Sequence, residues 1–98
     1  IEHLVGSAFA DTLNGGDAPA AVGLLIEGGL GIDTITGGAG MATIYGDAGD
    51  DIINGGDGDD ELHGDAGDDS LNGGAGDADI CLSDAADVTT PKSNCELQ

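Results

Sequence analysis

"GDAGDDIINGGDGDDELH", residues 46–63, places seven acidic residues and five glycines in eighteen positions. Its large apolar side chains are Ile52, Ile53 and Leu62. So little apolar bulk under so much like charge ordinarily marks a disordered chain. The next eighteen residues, 64–81, agree with it at 11 of 18 positions, however. Agreement of that kind is a structural period, and each block halves again into nine-residue units.

Working outward, the units are GGLGIDTIT (28–36), GGAGMATIY (37–45), GDAGDDIIN (46–54), GGDGDDELH (55–63), GDAGDDSLN (64–72) and GGAGDADIC (73–81). A worn unit, GSAFADTLN (6–14), precedes them, and GGDAPAAVGLLIE (15–27) reads as one unit carrying a four-residue insertion around Pro19. Eight consecutive units thus run from Gly6 to Cys81. Their eighth positions are Leu13, Ile26, Ile35, Ile44, Ile53, Leu62, Leu71 and Ile80, every one Leu or Ile. One large aliphatic per nine residues is too sparse for an amphipathic helix. Glycines at the first and fourth positions break helices and allow positive φ. What remains is a short strand at positions seven to nine, one side chain inward, followed by a tight Gly-Asp turn. Stacked units of this kind coil into a solenoid whose aliphatics form ladders.

The repeat resembles G-G-x-G-x-D-x-U-x, the nonapeptide of the RTX (repeats-in-toxin) family. The resemblance covers about 76 of the 98 residues. It implies an all-β fold: a parallel β-roll (a right-handed β-solenoid) with two nonapeptides per turn and calcium between successive turns. The eighteen-residue period agrees with a two-sided coil. Residues 1–81 are expected to form the roll, and 82–98 a short C-terminal cap.

Sorted by edge, the sixth positions are Asp11, Asp33, Asp51 and Asp69 on one side. On the other they are Leu24, Ala42, Asp60 and Ala78. The resemblance gives the sixth-position aspartate the carboxylate ligand, which transfers to Asp33, Asp51 and Asp69 and, in the worn unit, to Asp11. The expectation is a calcium ladder mainly on one edge, with Asp60 a fifth candidate ligand that lacks an acidic companion in its column. Turns stack about 4.7–4.9 Å apart. Two Ca–O bonds of about 2.3–2.6 Å span that gap, and two Mg–O bonds of about 2.0–2.1 Å fall short. Turn chemistry is the alternative for these aspartates, since Asp favours tight turns without a metal. Asp47, Asp50, Asp65 and Asp68, flanking the column, are read as supplying field or solubility. An EF-hand is excluded around Asp57, Asp59 and Glu61, because Leu62 stands where its loop needs glycine.

A net charge of −19, with Lys92 the single base, repels nucleic acid and anionic membrane and favours metal cations. No apolar run is long enough to span a bilayer. Starting at Ile1 rather than Met, the chain is expected to be processed or excised from a longer precursor. Cys81 and Cys95 read as a disulfide in an acidic, Gly-rich, secreted chain. Zinc with His3 or His63 has the wrong spacing, and free thiols are the other alternative. A Cys81–Cys95 bond would staple the tail as a cap, with Cys81 in the outward ninth column beside Tyr45 and His63. The opposite end, IEHLV, looks like the close of another unit, with Leu4 inward and no evident cap. The apolar AAVGLLI (20–26) is read as covering the core locally or as joining subunits.

The functional expectation is an extracellular, non-catalytic, calcium-folded structural roll, self-associating end to end into filaments. The alternative is the calcium-triggered folding or secretion module of a larger exported enzyme, toxin or adhesin. Two histidines and no nucleophile–base pair argue against an enzyme. Gly, Ala and Asp at the turn positions argue against ice binding.

Overall fold

A computed structural model of the chain describes residues 2–16, 24–74, 79–82 and 92–93. Ten short strands carry the fold: β1 (Glu2–Val5), β2 (Thr12–Asn14), β3 (Leu24–Glu27), β4 (Thr34–Thr36), β5 (Ala42–Tyr45), β6 (Ile52–Asn54), β7 (Glu61–His63), β8 (Ser70–Asn72), β9 (Ile80–Leu82) and β10 (Lys92–Ser93). The odd strands form one five-stranded sheet, β1-β3-β5-β7-β9, and the even strands form another, β10-β8-β6-β4-β2. Every pairing is parallel, so the chain alternates between the sheets and climbs one strand per circuit. The result is an all-β parallel solenoid of about four turns, with no helix among the described residues. The tail returns as β10 beside β8, adding a strand to the second sheet.

Register records the repeat directly. Asp33 and Asp51, like Asp51 and Asp69, are matched at a separation of 18, two nonapeptides per turn. Asp11 and Asp33 are matched at 22, which carries the four extra residues between β2 and β3. Residues 17–23, including Pro19 and most of AAVGLLI, lie outside the described set. Asp60 and Asp79 are matched at 19, one residue beyond the period.

That single residue overturns three expectations. Asp79, not Ala78, takes the sixth position below Asp60. Cys81, not Ile80, follows Leu62 in the inward ladder and is fully buried, while Ile80 pairs with Glu61 on the outer face. Leu82 then occupies the outward column after His63, where the nonapeptide places Cys81. A turn absorbs an added residue at small entropic cost. The slip brings the Asp79 carboxylate under the Asp60 N–H, a 2.8 Å hydrogen bond.

Between the sheets lie Ile26, Ile44, Leu62 and Cys81 from one side and Ile35, Ile53 and Leu71 from the other. All but Leu71 have zero exposure, and Leu71 has 1%. Leu4 and Leu13 pack against this row at the N-terminal end, covered on one side only. Strand alternation puts positions six and eight on the same face, so the sixth residue is inward too. Leu24 and Ala42 join the core there, and Asp33, Asp51, Asp60, Asp69 and Asp79 are buried there. With one aliphatic per strand, each is costly to trim. Ile44→Ala should destabilise the folded roll by about 2–5 kcal/mol in calcium-saturated denaturant titrations.

Candidate metal centre

Each of Asp33, Asp51, Asp60 and Asp69 sits at the end of a six-residue turn that starts at a glycine. Its Oδ1 accepts the backbone N–H of the sixth residue one turn earlier. Asp33 accepts from Asp11, Asp51 from Asp33, and Asp69 from Asp51, all at 2.8 Å. On the second edge Asp60 accepts from Ala42, also at 2.8 Å. This is the turn chemistry that the composition allows, and it occupies one oxygen of each carboxylate.

The other oxygen is left over. Oδ2 of Asp33, Asp51, Asp60 and Asp79 is buried with no hydrogen-bond partner. An orphaned, desolvated carboxylate oxygen costs free energy unless a proton or cation neutralises it. Burial pushes the Asp51 carboxyl up to about 6, with the neighbouring carboxylates of Asp33, Asp47 and Asp50 adding to the rise. Burial likewise lifts Asp60 to about 7, helped by Asp79, Asp59 and Asp57. Asp33 is raised for the same leading reason.

These oxygens share a hollow with main-chain carbonyls. A Cβ placed on Gly46 would stand 2.6 Å from Asp51 Oδ2 and 3.0 Å from the Gly64 carbonyl oxygen. On Gly28 the corresponding neighbours are Asp33 Oδ2 at 2.6 Å and the Gly46 carbonyl oxygen at 2.8 Å. The first position must therefore be glycine, because the space of a side chain already holds oxygens from two successive turns. Among the described residues no three His, Cys, Asp or Glu side chains converge on one point. The donors are instead carboxylates alternating with carbonyls, an all-oxygen set repeated at the turn spacing, which suits calcium.

Asp33, Asp51 and Asp69 thus stand in one buried column, as the sequence places them. Asp11 heads the column but is only partly buried, and its carboxylate accepts from the N–H and Oγ of its own turn's Ser7. Ser7 thus supplies the Asp11 carboxylate with donors from within its own turn. Asp60 is not alone, having Asp79 beneath it. Nonapeptide alignment misses Asp79, and the signal that finds it is the GDAD run, where an aspartate lies one place past the expected one. Of the flanking acids, Asp47 Oδ2 accepts from Gly29 N–H at 3.2 Å and Asp50 Oδ1 from Asp68 N–H at 2.8 Å, so they tie turns together.

The histidines serve the outer face of the first sheet. His3 pairs with Glu27 at 2.8 Å and His63 with Glu61 at 3.0 Å. Tyr45 stacks on His63, centroids 4.5 Å apart, in the outward column the repeat predicts. No helix among the described residues is long and apolar enough to cross a membrane.

A parallel solenoid whose turns line up carboxylate and carbonyl oxygens at glycine hollows defines the class of calcium-binding β-rolls. The profile of the RTX calcium-binding nonapeptide repeat matches in four copies, over residues 1–18, 25–41 and 45–80. The chain belongs to that family, whose repeats bind Ca2+. No curated protein and no solved structure matched the chain.

Proposed function

We propose that the chain is a non-catalytic structural module, folded and stiffened outside the cell by calcium stacked along its first edge. Asp33, Asp51 and Asp69 would hold the ions with glycine carbonyls, and Asp11 would close the row at its N-terminal end. The observation that carries this reading is the buried, partnerless Oδ2 of Asp33 and Asp51, each beside a carbonyl of the next turn. Calcium would neutralise those oxygens and tie each turn to the next. Secretion is supported by the usual setting of the family.

The test is Asp51→Asn, which keeps an oxygen for the Asp33 N–H and removes the charge. Apparent calcium affinity should fall roughly tenfold or more, because ligand charge tunes such sites. Asp50→Asn, on the surface of the same turn, should change it little. Equal effects from the two would reduce the column to general electrostatics.

The Cys81–Cys95 staple belongs to this proposal. Cys81 is completely buried on the last described strand of the first sheet, and Cys95 lies outside the described residues. Closing a loop of about 15 residues would stabilise by roughly 3 kcal/mol in the chain-entropy model. End-to-end self-association is proposed on the open edge of β1 and β2, where Leu4 and Leu13 are half-covered and Phe9 is 79% exposed. The same geometry also serves the second reading, a calcium-triggered folding module of a larger exported protein.

A further inference from the structure

The second edge changes character along its length. Over Gly15 the hollow is filled by Leu24 Cδ2, and over Gly37 the Ala42 Cβ lies 3.1 Å from where a side chain would start. Over Gly55 it turns polar, with Asp60 Oδ2 at 2.5 Å and the Gly73 carbonyl oxygen at 2.7 Å. The next sixth position is Asp79, whose Oδ1 accepts the Asp60 N–H at 2.8 Å. Asp60 and Asp79 are 2% and 0% exposed, and the Oδ2 of each has no hydrogen-bond partner. Two carboxylates are thus buried one turn apart, and the nearer histidine, His63, has its Nε2 on Glu61. Two ionised carboxylates buried this close need a cation between them to offset lost hydration and mutual repulsion.

We infer that the gap between Asp60 and Asp79 is a separate, single calcium position, clasping the last described turn to the roll. This rests on the calcium reading of the first edge for the identity of the ion, and on its own residues for the site. Among the described residues it has no neighbour on its edge, since Ala42 and Leu24 fill the column above. It therefore titrates as one independent site, apart from the stacked row on the opposite edge. The one-residue slip has a function in this account: an unslipped chain would put Ala78 under Asp60 and leave a lone buried charge.

Two observables separate the edges in the full-length chain. Calorimetric titration with calcium counts all ions. Terbium luminescence sensitised by Tyr45, the single tyrosine in a chain without tryptophan, reports the first edge, because Tyr45 directly precedes the Gly46 turn. Asp79→Asn should remove one calcium equivalent and leave the Tyr45-sensitised terbium titration unchanged. Ala42→Asp should add one equivalent, because the Ala42 N–H already donates to Asp60 Oδ1 and a carboxylate there extends the column. Unchanged stoichiometry in both variants overturns the inference, and if Asp79→Asn does not fold, Ala42→Asp decides alone. A wild-type chain with no Tyr45-sensitised signal but a calcium equivalent lost in Asp79→Asn overturns the first-edge reading and keeps this one.

Discussion

Stripped of calcium with EDTA, the chain should lose its β-sheet circular dichroism and expand, and millimolar calcium should restore both. The folded radius of gyration over Cα atoms is 11.8 Å. A disordered chain of about 100 residues measures roughly 30 Å, so small-angle scattering separates the states. The expectation follows from charge and burial together. Twenty acidic residues face one base, and five aspartates are buried in two columns. Each ion present at 100 times its dissociation constant adds about 2.7 kcal/mol. The first edge offers three gaps between Asp11, Asp33, Asp51 and Asp69. Filling them contributes about 8 kcal/mol, which is comparable with the whole stability of a typical domain, about 5–15 kcal/mol. Calcium should therefore act as a folding switch rather than a trim. Magnesium at equal concentration should restore little, because its shorter bonds and octahedral demand do not span the turn spacing. A compact β-sheet chain in EDTA would overturn the account.

Much of this roll was legible in the sequence because its core is one column wide. A Leu or Ile every nine residues left no face for a helix, and Leu13, Ile26, Ile35, Ile44, Ile53, Leu62 and Leu71 all point inward as that spacing requires. The first-edge aspartates were readable for the same reason, being in phase with those aliphatics. The slip at Asp79 was not readable from period alone. A nonapeptide alignment scores Ala78 and Asp79 by position, whereas the chain gains a hydrogen bond to Asp60 N–H and a small buried Cys81 in the core slot. The role of Ser7 was hidden differently. Nothing in the repeat marks a serine at the second position, and its hydroxyl gains a role only from the Asp11 carboxylate four residues on.

Acidification should affect the calcium-free and calcium-loaded chains in opposite directions. In the folded chain without metal, burial holds the Asp51 carboxyl at about 6 and the Asp60 carboxyl at about 7, against 3.8 for an exposed aspartate. Between about pH 4 and 7 the folded chain therefore binds more protons than the unfolded one. Stability then falls as pH rises through that window, and the contribution of these groups is fully present only below the unfolded value. Each such group contributes at most about 1.4 kcal/mol per pH unit while it is protonated in the folded chain and ionised in the unfolded one. Calcium reverses the sign, because it binds the ionised carboxylates and protons compete with it. In EDTA, residual structure and denaturant resistance should be greater at pH 5 than at pH 7.5. In millimolar calcium the ranking should invert, with apparent affinity dropping as pH falls through about 7 to 6. The combined variant Asp51→Asn, Asp60→Asn separates this from a general charge effect. It keeps most of the net negative charge but removes the carboxyls raised to about 6 and about 7, so its EDTA pH dependence should flatten. If wild type and variant share one pH trend, with or without calcium, the buried carboxylates are not the groups that couple protons, calcium and folding.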